Sequence, residues 1–200
     1  MKVTLDEIEI EIETPTLAEG LKQAIAAAET KGRVVIEATL DGCPLTDEQL
    51  TDPPSDATPD ADLRLLSANP VALVRATLYE AADALDDAAR LQAKASDLIE
   101  RGESEDAMDI LSEILSVWQA VSDVAAQGPE LLGKPFETPS GSPSLDDNTE
   151  KLAACLKEVK RCLKMQDWAS LADLLAFDMV ELGQAWKIQL SVFADQLKIN

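Results

Sequence analysis

The chain has 200 residues, 46% of them hydrophobic and only 4% aromatic, so any core is built mainly from Leu, Ala, Val and Ile. Its formal charge of −21, from 38 acids against 17 bases, argues against nucleic acid or anionic lipid as a partner for a generic basic surface. There is no histidine, which removes the commonest general base and the commonest transition-metal ligand.

Residues 1–68 read as a small sheet-containing module. Val3 and Leu5 alternate with polar residues, Asp6-Glu7 interrupt, and Ile8, Ile10 and Ile12 then alternate with Glu9, Glu11 and Glu13. That pattern predicts a hairpin, or one long strand, with the apolar face inward and the glutamate face in water. Thr16 and Glu19 form a capping-box pattern ahead of a helix striped by Leu17, Leu21, Ala24, Ile25 and Ala28, with Gly32 as its stop. Residues 33–40 read as a strand, Asp41-Gly42 as a turn, and the stretch from Leu45 through TDEQL as a short turn of helix. Residues 51–62, with three prolines and several aspartates, read as a loop, and Asp62–Ala68 as a last strand. The order β-β-α-β-loop-β resembles the β-grasp or ubiquitin-like fold. The resemblance implies a binding or docking platform and carries no functional residues.

The hydrophobic period changes at Asn69-Pro70, from two to three or four residues. Asn69 is suited to cap a helix and Pro70 to open one. Residues 69–200 therefore read as an antiparallel bundle of about four long helices, and the fold class as α+β. The first helix runs about 30 residues to Gly102. Ser104 is placed to cap the second, which carries Met108, Leu111, Leu115, Trp118 and Val121 and is expected to end at Gly128-Pro129. A Pro/Gly-rich loop follows at 128–144, with Leu131, Leu132 and Phe136 available to pin it. Ser144 opens the third helix, striped by Leu152, Cys155, Leu156, Val159, Cys162 and Leu163. After a break near Met165-Gln166, Asp167 caps a fourth carrying Trp168, Leu171, Leu174, Leu175, Leu182, Trp186, Leu190, Phe193 and Leu197, with Asp178 interrupting the stripe.

Chemistry-bearing patterns are sparse. Cys43, Cys155 and Cys162 suit reduced thiols in a cytoplasmic protein. Cys155 and Cys162 lie two turns apart on one helix face, too far for a disulfide. Dense carboxylates at Asp83, Asp86, Asp87, Glu103, Glu105, Asp106 and Asp109 could serve a carboxylate-metal enzyme, yet no calcium loop or Glu-x-x-His pair accompanies them. No phosphate loop, dinucleotide fingerprint or nucleophile elbow occurs. These features together point away from an enzyme and imply no cofactor or metal. The segment MKVTLDEIEIEIE lacks a signal-like apolar run, and no stretch suits a membrane span.

Two patterns suit a protein partner. Lys157, Lys160, Arg161 and Lys164 fall at i, i+3, i+4 and i+7, one basic face in an acidic chain. Its ordinary explanation is pairing with acids such as Asp83, Asp86 and Asp87, and its functional one is contact with an acidic partner segment. Leu182, Trp186, Leu190 and Phe193 lie along the last helix beside Trp168 and Phe177. They suit core packing, or a helix-in-groove contact if that helix peels away, and an apolar last helix is compatible with a homodimer.

The segment Met165–Trp186 resembles a recurring pattern in uncharacterised bacterial helical proteins, D-[WY]-x-x-L-A-D-L-L-x-[YF]-[DE], some of which sit near flagellar genes. The matching residues are Asp167, Trp168, Leu171, Ala172, Asp173, Leu174, Leu175, Phe177 and Asp178. The resemblance implies a flagellar accessory or export-chaperone-like role. The expected function is a non-enzymatic, chaperone-like protein-binding protein of the cytoplasm. The alternative is an acidic nucleic-acid mimic or inhibitor that occupies a basic protein.

Overall fold

The computed structural model describes residues 1–56, 58–138 and 144–198. The chain is α+β, with a small mixed sheet of five strands and several long helices. It divides into two compact units, Met1–Leu73 and Val74–Asn200.

The first unit opens with β1 (Lys2–Leu5) and β2 (Ile8–Ile10), joined as an antiparallel hairpin. Asp6 and Glu7 form its two-residue turn with φ of 51° and 67°, the sense that matches the twist of the flanking strands. Helix α1 (Leu17–Thr30) follows, then β3 (Val34–Leu40), β4 (Cys43–Pro44), the short α2 (Asp47–Thr51) and β5 (Asp62–Ala68). The strand order is β2-β1-β5-β3-β4. β1 and β5 run parallel at the centre, and the other pairs are antiparallel. The central register sets Val3 beside Leu63 and Leu5 beside Leu65. These four form one core with Leu17, Leu21, Ala24 and Ala28 of α1. The period-two alternation of β1 and β5 thus meets the helical stripe of α1 on one face of the sheet.

Two sequence expectations change here. The apolar face of the hairpin is inward at Val3 and Leu5, and Ile10 and Ile12 pack, partly buried, against the same core. Ile8, on the edge strand, departs from the expectation and is 58% exposed. The capping box at α1 is half made. Thr16 Oγ1 accepts from the Glu19 N–H at 3.2 Å, but the Glu19 carboxylate turns along the helix to accept from Gln23 Nε2 at 2.7 Å. A complete box forms at α2, where Thr46 and Gln49 bond reciprocally.

A polar cluster ties the hairpin turn to the rest of the sheet. Asp6 accepts from the Ser67 N–H at 2.8 Å and from Ser67 Oγ at 2.6 Å, and Arg33 Nε lies 3.5 Å from the same carboxylate. The hydroxyl of Ser67, then its N–H, then Arg33 hold the Asp6 carboxyl below the ordinary carboxylate range, with burial opposing them. A folded value below the unfolded one gives stability that is complete above the unfolded value of about 3.9. It is lost as pH falls through the folded value. Asp6→Asn keeps the left-handed turn residue and removes the titration. The acid-induced loss of stability between about pH 5 and pH 2 is therefore expected to be shallower in the variant, read as denaturation midpoints against pH.

The second unit is built on helices. Helix α3 (Pro70–Glu100) begins where Asn69 Oδ1 accepts from the N–H groups of Val71 and Ala72, at 2.9 and 3.1 Å. Gly102, at φ 80°, ends it by taking the left-handed conformation that a side chain disfavours. Helix α4 (Ser104–Leu132) starts with Glu103, not Ser104, at the N-cap, and no side chain caps it. It also runs through the expected stop at Gly128-Pro129 and ends at Gly133. Pro129 sits within the last turn and a half, so its missing N–H removes only one ladder bond. Gly128 is a packing residue. A Cβ there would lie 2.6 Å from Phe136 Cζ and 3.3 Å from Val74 Cγ1. Phe136 fills that notch and stacks on Phe193 with ring centroids 4.7 Å apart, pinning the start of the loop. Leu131 stays on the exposed side of the helix. Residues 139–143 of the expected loop lie outside the described residues.

Helix α5 (Leu145–Met165) is followed by α6 (Trp168–Asp173) and α7 (Met179–Gln196). The expected fourth helix is continuous from Trp168 to Gln196, with α6 and α7 running into each other through a π turn at Leu174–Asp178, where the Met179 N–H bonds back to Leu174 O. The interruption at Asp178 marks that turn.

Candidate partner-binding surface

Helix α5 carries the basic face. Its start is fixed by a complete capping box, with the Asp147 N–H donating to Ser144 Oγ at 3.0 Å and the Ser144 N–H donating to Asp147 Oδ2 at 2.9 Å. Its end is fixed by Gln166 in the left-handed region, with the Asp167 N–H reaching back to Cys162 O. Asp167 then caps α6 through the Ser170 N–H at 3.2 Å. Between these stops α5 buries Asn148, Leu152, Val159 and Cys162. Lys157, Lys160, Arg161 and Lys164 are all exposed, and the three lysines lie on the side away from that buried stripe. Lys164, in the last turn, also complements the helix dipole.

Two of the three acids expected to neutralise this face are engaged elsewhere. Asp86 pairs with Lys187 at 2.5 Å, and Asp87 pairs with Arg90. Among the described residues Arg161 alone of the four is paired, with Glu158 at 2.7 Å and Asp167 at 3.7 Å. Among the described residues no carboxylate forms an ion pair with Lys157, Lys160 or Lys164.

Arg161 also borders a shallow cleft of about 270 Å³ between α5 and the π turn, lined with Glu158, Cys162, Ser170, Asp173, Leu174 and Asp178. In an uninterrupted helix Asp173 and Asp178, five residues apart, would point about 140° apart. The π turn's i→i+5 bonding brings them close to one full turn apart, so both reach the same cleft. Two large apolar side chains are exposed nearby in the chain, Met165 at the end of α5 (71%) and Phe177 in the π turn (69%). Sequence proximity groups Phe177 with the aromatic residues of the last helix. Its nine-residue separation from Trp186 is half a helical turn out of phase, a signal that places it on the opposite side.

Cys155 is half-buried on α5. Burial first, then the carboxylates of Asp178 and Glu158, push its thiol up to about 11. At neutral pH it is therefore a protonated packing residue, and Cys162 is buried. Exposed Cys43 is expected to be alkylated by iodoacetamide well before either, which peptide mapping over a time course reads directly.

The second expected surface is closed. Leu182, Trp186, Leu190 and Phe193 of α7 are all buried, three of them at 1% exposure or less. Trp186 packs edge-on against Trp118 of α4, with centroids 6.0 Å apart, and its Nε1 donates to Asn148 O of α5 at 3.3 Å. Asn148 Nδ2 donates to Gln189 Oε1 at 2.6 Å. Lys187 pairs with Asp86, and Tyr79 Oη donates to Asp195 Oδ1 at 2.5 Å, fastening α7 to α3. The last helix is thus held by three others. Its apolar face is core here, not an open groove.

Among the described residues no three of Cys, Asp and Glu are placed to hold a metal ion, and no helix is long and apolar enough to cross a membrane. A family model described as "Domain of unknown function (DUF8042)" matches residues 76–189. The chain belongs to the DUF8042 family. The DUF8042 match begins inside α3 and ends inside α7, so it takes in the basic face, the cleft and the π turn. No curated protein and no solved structure matches the chain.

Proposed function

We propose that this DUF8042 protein is a non-enzymatic, chaperone-like protein-binding protein whose contact surface is the outer face of α5. The observation that carries the reading is the strip of three lysines, exposed and unpaired among the described residues, in a chain of formal charge −21. An acidic chain that leaves a basic strip unneutralised keeps it available for carboxylates on another protein. Met165, next to Lys164 in the chain, offers an exposed apolar anchor beside that electrostatic contact.

The first unit fits a β-grasp-like platform, supported by the order β2-β1-β5-β3-β4 with a parallel central pair and one helix across it. The second fits an antiparallel bundle of four long helices, supported by the ties of α7 to α3, α4 and α5. A cytoplasmic setting accords with the three free thiols. The flagellar connection belongs to the proposal and rests on the Asp167–Asp178 resemblance.

Affinity capture comparing wild type with K157E/K160E/K164E tests the reading. The wild type is expected to retain a protein that the variant loses, and retention should weaken as salt rises. An unchanged set of captured proteins would sink it. A second reading, the acidic mimic, is favoured by Asp106, Asp109 and Glu113 of α4, exposed and without ion pairs among the described residues. It predicts that D106K/D109K/E113K, not the lysine variant, abolishes capture of a basic protein.

A further inference from the structure

The lysine strip on α5 has a counterpart on the same unit. Asp106, Asp109 and Glu113 of α4 repeat the spacing of Lys157, Lys160 and Lys164, i, i+3 and i+7, so each strip extends about 10 Å along its helix. All six side chains are exposed, and among the described residues none forms an ion pair. Residues 103–113 hold five acids and no base, whereas residues 157–165 hold four bases and one acid.

The two strips also lie at the same end of the helices. The ties Asp86–Lys187 and Tyr79–Asp195 run in opposite directions along α3 and α7, so those helices are antiparallel. The start of the α6–α7 run is therefore level with the end of α3, where α4 begins after Gly102. Helix α5 ends at that level too, since only Gln166 and Asp167 separate it from α6.

We propose that the lysine strip of one copy docks on the acidic strip of a second copy, forming a homodimer. A two-fold arrangement makes the contact twice, because each copy supplies one strip of each sign. The inference rests on the reading of the α5 face as a protein-contact surface and names its occupant in the absence of another partner. Overall charge opposes the pairing at long range. At physiological ionic strength the Debye length is about 8 Å, which screens distant repulsion more than the touching strips. Association is therefore greatest at intermediate salt and weaker at both very low and high salt.

Sedimentation velocity on the full chain decides this. At about 100 µM and physiological salt the wild type is expected to sediment as a dimer, and to dissociate in about 1 M NaCl. K157E/K160E/K164E and D106K/D109K/E113K are each expected to be monomeric, weakened by ~10-fold or more. Their equimolar mixture is expected to form a heterodimer, since one then carries two acidic strips and the other two basic ones. A monomeric wild type, a dimer indifferent to salt, or a folded pair of variants that fails to associate would each overturn the inference. A monomeric wild type would leave the proposed function standing, because that reading falls only when capture is unchanged in the lysine variant.

Discussion

Trp186→Ala is expected to lower the unfolding free energy by about 3–5 kcal/mol, the range for removing a buried tryptophan from a packed core. The side chain is 1% exposed, sits edge-on against Trp118, and donates its indole N–H to Asn148 O. Truncation removes the ring's dispersion contacts, leaves a cavity among α4, α5 and α7, and orphans one face of Trp118. The indole bond, at 3.3 Å, is the minor share. Urea unfolding followed by far-UV circular dichroism measures the loss. K157E/K160E/K164E is the natural comparison and is expected to shift stability by within about 1 kcal/mol, since those side chains are exposed and unpaired among the described residues. A tryptophan variant as stable as wild type would mean that α7 is not held in the core.

Gln92→Leu is expected to stabilise the protein, by about 1–3 kcal/mol. Gln92 lies on α3 at 1% exposure, and neither Nε2 nor Oε1 has a hydrogen-bond partner among the described residues. A buried amide without partners carries its desolvation cost in the folded state only. An apolar side chain of similar length removes that cost and adds buried area. Few core substitutions are expected to raise stability, so the sign is informative. The same denaturation series reads it, and a loss of stability would mean that the amide is satisfied in solution.

Sequence periodicity disclosed most of the architecture because most elements carry their own local signals. Asn69-Pro70, Ser144 and Asp167 bond as caps at the predicted helix starts, and Gly32 and Gly102 take the left-handed conformation at the stops. Alternation located β1 and β5. It misjudged Ile8, since a strand's position at the sheet edge depends on which strands pair, and that is a long-range property. Gly128-Pro129 read as a stop because local propensity favours one. The structure uses Gly128 to admit Phe136, a contact across the loop that periodicity does not encode. The π turn was visible only as the misplaced Asp178.

The candidate site divides along the same line. The basic face of α5 followed from helical spacing alone. The absence of ion-pair partners for its lysines among the described residues did not, because it depends on where Asp86 and Asp87 find Lys187 and Arg90. The apolar face of α7 had the same pattern whether it packed inward or bound outward. Its ties to α3, α4 and α5 decide in favour of packing.

The central claim, that the lysine face of α5 is the protein-contact surface, is tested most directly by site-specific photo-crosslinking in cells that express the chain. A photoreactive residue is placed at Lys160 or, as a control, at exposed Glu48 in α2. Discrete protein adducts are expected from position 160, with little from 48. Adducts absent at 160, or equally abundant at 48, would contradict the claim.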